Sequence, residues 1–314
     1  MGVFDFLSNR KKDIPEKKKG QEALPENVIK TSKPAIAAFE MVELKPGVIL
    51  PGFTVDHWPE IEGTGLPSVA ITAVPLEEIP PAASKFGGYP YIPVGFPYPK
   101  DAGGSYMYPL AQINFSEVPP VDGFPRSGYL QIYISAYDQM LGSDYPDLQS
   151  QKNFRIFFLE ENEIAVHQTD FSFLDDIMDS GTLPIQTSHR LSFTEKEDHM
   201  GMADVRVEMA LGLKVSRMID RIIKKYPDED ENILYQKFCN TFSGRGHKIG
   251  GYAGFTQTDP RFKNPPFDHY ILLLQIDSDE EIMWGEMGVA HFFIHPDDLA
   301  KKDFSKVMYT WDNG

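Results

Sequence analysis

The chain has 314 residues, 41% of them apolar and 12% aromatic, which is ordinary globular composition and long enough for two hydrophobic cores. Its formal charge is −16, and because residues 1–20 carry six basic and three acidic side chains, the remainder holds −19. So acidic a body repels phosphate backbones and excludes nucleic acid as a partner, while favouring encounter with a basic protein. One cysteine, Cys239, excludes an internal disulfide framework and places the chain in a reducing, cytoplasmic compartment.

Residues 1–24 read as a mobile basic tail: an apolar start, Met1 to Leu7, is followed by Arg10, Lys11, Lys12, Lys17, Lys18 and Lys19. Phe6 stands where a myristoylation signal needs Ser or Thr, and no apolar run reaches the ~20 residues of a membrane span, so no stable membrane insertion is expected. Residues 26–31 and 76–84 are candidate helices. The segment from Tyr89 to Tyr108 alternates proline with aromatic residues and reads as a stiff loop laid over a sheet by its rings, with lining of a groove as the alternative. Short β-branched and aromatic runs at 128–135, 154–158, 288–295 and 306–310 read as strands. A helix is expected over 215–226, where Val215, Met218, Ile219, Ile222, Ile223 and Tyr226 recur at helical spacing before Pro227. A second is expected over 231–242, ahead of the turn residues 243–246.

The organising feature is internal repetition. Positions 85–113 and 248–276 share nine identities in 29 when laid without gaps, where background composition gives roughly two. Lys85-Phe86-Gly87-Gly88-Tyr89 returns as Lys248-Ile249-Gly250-Gly251-Tyr252, and Leu110-Ala111-Gln112-Ile113 returns as Leu273-Leu274-Gln275-Ile276. The offset of 163 residues is domain-sized. The expected fold is therefore α+β: a tandem duplication of two similar, largely antiparallel sheet modules with flanking helices, packed with pseudo-twofold symmetry. The modules are read as residues 25–190 and 191–314.

These blocks, with Gly128-Tyr129-Leu130-Gln131, Trp284-Gly285-Glu286-Met287-Gly288 and the closing Tyr309-Thr310-Trp311-Asp312, resemble the YwqG-like family of uncharacterised bacterial proteins over roughly residues 25–314. The resemblance implies a duplicated α+β fold with its two halves packed together. It implies no catalytic residues; an occurrence among toxin and immunity genes makes inhibition of a toxin one role it points to.

No GxSxG elbow, HExxH, CxxC pair, Walker loop or EF-hand loop is present, and no cofactor is expected. The glycines of 244–251 are spaced one residue too widely for a dinucleotide fingerprint and read as a turn between helix and sheet. His291 and His295 fall on one face of a strand but have Gln131 and Ser135 as repeat partners, so no metal site is assigned. Candidate binding residues are the repeated polar and aromatic positions Lys85, Tyr89, Gln112, Lys248, Tyr252 and Gln275, joined by Asp277, Trp284, Glu286 and His291. The favoured reading is a non-enzymatic module that binds a protein, immunity-like in role. The alternative is a small-molecule-binding protein or hydrolase with a cleft between the halves, using Glu286, Asp277, His291 and Lys248.

Overall fold

A computed structural model of the chain describes residues 36–178, 180–263 and 267–314. The basic tail and the candidate helix at 26–31 lie outside the described residues. A small hairpin, β1 (Met41–Lys45) and β2 (Val48–Pro51), turns at Gly47 and leads into helix α1 (Trp58–Glu62). Strand β3 (Leu66–Pro75) follows, then β4 (Lys85–Phe86), β5 (Tyr108–Asn114), β6 (Tyr129–Ile134) and β7 (Phe154–Leu159). After the short helix α2 (Asp175–Met178) come β8 (His189–Asp198) and three helices, α3 (Val207–Leu211), α4 (Val215–Lys225) and α5 (Glu231–Thr241). The chain closes with β9 (Lys248–Gly250), β10 (Ile271–Asp277), β11 (Val289–Ile294), α6 (Pro296–Ala300) and β12 (Met308–Asp312).

Among the described residues ten strands form one antiparallel sheet, in the order β12-β11-β10-β9-β3-β8-β4-β5-β6-β7. Its centre is the long ladder between β3 and β8, paired from Leu66↔Asp198 to Pro75↔His189. The next neighbour of each central strand comes from the other end of the chain: β3 pairs with β9, and β8 pairs with β4. The sheet curls until its two ends meet, where the Tyr309 N–H donates to Leu148 O at 2.8 Å and the rings of Phe154 and Tyr309 lie 5.2 Å apart. A continuous core fills the curl, running from Leu110, Leu130 and Phe154 to Leu274, Phe292 and Tyr309.

Strands β6 and β11 are buried along their whole length, as in a sheet covered on both faces, with Gln131 and His291 the polar residues among apolar neighbours. The helices form a satellite core, in which Met218, Ile219 and Ile222 of α4 meet Phe53, Ile61, Leu234 and Phe238. Helix α4 follows from the spacing of its apolar residues, and Asp230 caps α5 by accepting from the N–H groups of Asn232 and Ile233. Residues 76–84, a candidate helix, form none, because Pro75, Pro80 and Pro81 remove the N–H donors a helix would need. The proline-aromatic segment lies over the sheet as a loop, pinned by edge-to-face contacts of Tyr91 with Tyr129, Phe96 with Phe157 and Tyr98 with Tyr133. No described helix is long and apolar enough to cross a membrane.

The pairing makes the two ends of the chain interdependent. A fragment spanning 25–190 lacks all but the first residues of β8, which separates β3 from β4, and a fragment spanning 191–314 leaves β9 without β3. Expressed separately, both fragments are expected to give collapsed amide spectra by 1H–15N NMR, with dispersion returning only when they are mixed; native-like dispersion in either alone would contradict this.

Candidate functional site: two clefts at the repeated turns

Each Lys-x-Gly-Gly-Tyr block is a short strand that runs into a turn with two successive glycines at positive φ, +66° and +74° at Gly87 and Gly88 and +71° and +69° at Gly250 and Gly251. The second glycine also admits a close neighbour. A Cβ on Gly88 would lie 2.6 Å from Ser188 Oγ, and one on Gly251 would lie 2.3 Å from Asp198 Oδ2.

The repeated glutamines hold these turns in place through matching bonds. Gln112 Nε2 donates to Pro81 O and Ala83 O, both at 2.9 Å, and its Oε1 accepts from the Tyr91 N–H at 2.7 Å. Gln275 Nε2 donates to Gly244 O and Gly246 O at 3.0 and 2.7 Å, and its Oε1 accepts from the Gly254 N–H at 2.9 Å. Every one of these partners lies 163 residues from its counterpart. His291 belongs to the same scheme: its Nε2–H donates to Gly254 O, as Gln131 Nε2 donates to Tyr91 O. Burial holds the His291 pKa below the ordinary imidazole value, so the ring is a neutral brace. His295 lies past the end of β11 and accepts from the Asp297 N–H, so the two histidines of the strand motif are not joined.

The lysines of the two turns differ. Lys248 is 5% exposed and its ammonium donates to Asp198 Oδ2 at 2.7 Å and to Tyr252 O at 2.8 Å. Burial alone would raise the Asp198 carboxyl, but the charge and hydrogen bond of Lys248, helped by Lys196, hold it below the usual carboxylate value. Lys85 is 4% exposed, yet among the described residues its ammonium has one bond, to Pro81 O at 3.0 Å, and no carboxylate within ion-pair distance. Its neighbour across the ladder is Arg190, where Lys248 faces Ala70. Arg190 is held by Glu117, with Nη2 donating at 2.7 Å. Burial, with the charge of Arg190 adding to it, lowers the Lys85 pKa to about 8.

Both lysines line clefts. The Lys248 cleft, about 500 Å³, includes Lys45, Glu197, Asp198, Arg245 and Tyr252. The Lys85 cleft, about 350 Å³, includes Glu77, Gly88, Tyr89, His167 and Phe171, with the Tyr89 and Phe171 rings stacked at 5.0 Å. The structure thus brings Lys85 to Tyr89 and Lys248 to Tyr252, and buries Gln112, Gln275, Asp277 and His291 as supports behind them. Asp277 accepts from Arg245 Nε at 2.8 Å and from the Ser278 N–H. Trp284 is buried in the core and Glu286 is exposed; neither lines a cleft. A larger apolar hollow of about 680 Å³ beside Phe255 and Phe262 contains none of the candidate residues. Cys239 on its wall has its thiol pKa raised by burial, away from reactivity. Among the described residues no group of three His, Cys, Asp or Glu side chains is placed to hold a metal ion.

Sequence reasoning missed Asp198, Arg190, Glu117 and His167. The first two sit on β8, whose alternation of Leu191, Phe193 and polar neighbours was a readable strand signal.

The geometry defines an α+β protein with one cleft whose lysine is paired with Asp198 and one whose lysine has no carboxylate partner among the described residues. Residues 84–313 match the model of a family described as a domain of unknown function (DUF1963), and the chain belongs to that family. The match begins just before Lys85 and takes in both repeated turns. No curated protein matches the chain.

Removing Asp198 strands the Lys248 ammonium. Asp198→Ala is expected to cost about 3–5 kcal/mol in denaturant unfolding, with acetate restoring more of the loss than chloride at equal ionic strength. A loss below ~1 kcal/mol would contradict the pairing. In the wild type the contribution of Asp198 is present above the ordinary aspartate pKa and is lost as pH falls through its depressed folded value.

Proposed function

We propose that this chain is a cytoplasmic small-molecule-binding protein whose site is the Lys85 cleft. The observation that carries the reading is the contrast between the two lysines: Lys248 has Asp198, whereas Lys85 is similarly buried, has no carboxylate within ion-pair distance among the described residues, and faces a cleft of ligand size. A buried ammonium without a counter-ion is costly to the fold, so a position that keeps one open to a cleft is a place for a ligand.

The same reading takes the chain as a tandem duplication with pseudo-twofold symmetry about the β3–β8 ladder. The 163-residue correspondence of the glutamine bonds supports this, as does a strand order that reads alike from both ends of the sheet. The YwqG-like resemblance fits the same scheme. A second reading, an immunity-like module that engages a basic protein, is favoured by the formal charge of −16 and entails a complex that dissociates as salt rises.

The test of the first reading is a fragment screen by 1H–15N NMR on the full chain. Hits are expected to perturb the amides of Gly88 and Thr169 and to leave Gly251 unmoved. Hits confined to the hollow beside Phe262, or none at all, would contradict the assignment.

A further inference from the structure

We infer that the Lys85 cleft takes a small carboxylic acid with a flat apolar body, its carboxylate bound at the Lys85 ammonium. The inference rests on the cleft being the binding site and deepens that reading, because the chain carries its own template for the ligand. At the second turn the Asp198 carboxylate sits where a side chain on Gly251 would otherwise lie, 2.7 Å from Lys248 Nζ and 3.4 Å from the Tyr252 nitrogen. A carboxylate is thus the group that this turn, with its lysine and its missing side chain, is shaped to hold.

The first turn repeats the backbone and the lysine, seats Ser188 Oγ against Gly88, and among the described residues brings no carboxylate within ion-pair distance of the lysine. Of the three donors on Lys85, one is used among the described residues, by Pro81 O. A carboxylate accepts from the remaining donors in charge-assisted bonds. The stacked rings of Tyr89 and Phe171 and the side chains of Ile79 and Met178 supply apolar wall for the body of the ligand. The charged and titratable groups around the site are Arg190 with its partner Glu117, which face Lys85 across the ladder, and Glu77, His167 and Tyr89 on the cleft wall. Glu77 is exposed and outside ion-pair distance of Lys85, so it opposes the ligand charge only through solvent.

Binding needs the protonated lysine. Affinity is therefore greatest below the Lys85 pKa of about 8 and falls as pH rises through it, while the ligand stays ionised throughout.

The experiment is NMR titration of the full chain with acetate, benzoate and phenylacetate, each beside its uncharged amide, at pH 7 and pH 9. An acid that shifts Gly88 and Thr169, weakens at least tenfold in Lys85→Met and weakens from pH 7 to pH 9 supports the inference. The pH comparison on the wild type stands even where Lys85→Met does not fold. An amide that binds the cleft as well as its acid overturns the carboxylate while leaving the cleft as a binding site. Acids that leave the cleft amides unmoved overturn the inference, and the fragment screen then decides separately whether the cleft binds anything.

Discussion

The ladder between β3 and β8 is the constraint on which the rest of the molecule depends. Its ten residue pairs, from Leu66↔Asp198 to Pro75↔His189, join residues 114 to 132 positions apart and carry a lysine-bearing strand on each outer side. Strand β3 contributes Ser68 and Ala70 beside the second turn, and Arg190 of β8, with Ser188 just before that strand, lies beside the first. The same ladder explains why Asp198, at the far end of β8, reaches Lys248 although it precedes it by fifty residues.

Burial of two lysines is the energetic problem this arrangement creates. At the second turn it is met internally: an acid within hydrogen-bond distance, a tyrosine carbonyl, and a glycine that leaves room for both. At the first turn the cross-ladder neighbour is another cation, and its partner Glu117 is engaged by Arg190 and by the Ser84 N–H. A charge left in that condition weakens the fold unless something else neutralises it. The two turns thus share the bonds made by Gln112 and Gln275 and differ in what surrounds their lysines.

Much of this was legible in the sequence, for reasons that differ from element to element. The turns and the glutamine strands declared themselves because they recur at a fixed offset of 163 residues, and the outer strands because each is a short apolar run. Helices α4 and α5 were readable from apolar spacing and from the turn residues beyond them. Strands β3 and β8 do not stand out by repetition, because they share little sequence: Ser68-Val69-Ala70-Ile71 answers Ser188-His189-Arg190-Leu191. Among the candidate residues, Lys85, Tyr89, Lys248 and Tyr252 line clefts, whereas Gln112, Gln275, Asp277 and His291 are buried supports. A polar residue on an apolar strand looks the same in sequence whether it braces a turn or faces a ligand. The asymmetry between the lysines was invisible for a similar reason, since Asp198 lies in a run of charges, Glu195-Lys196-Glu197-Asp198, that reads as solvated surface.

The central claim is that Lys85 is a buried cation without a counter-ion among the described residues, and it is tested most directly by following its side-chain amine by 13C-detected NMR across the alkaline range, assigned by loss of the signal in Lys85→Arg. The account predicts that this lysine titrates at about 8, well apart from surface lysines near ~10.4. A Lys85 signal that titrates with the surface lysines would mean that its charge is already solvated or paired, and would contradict the account.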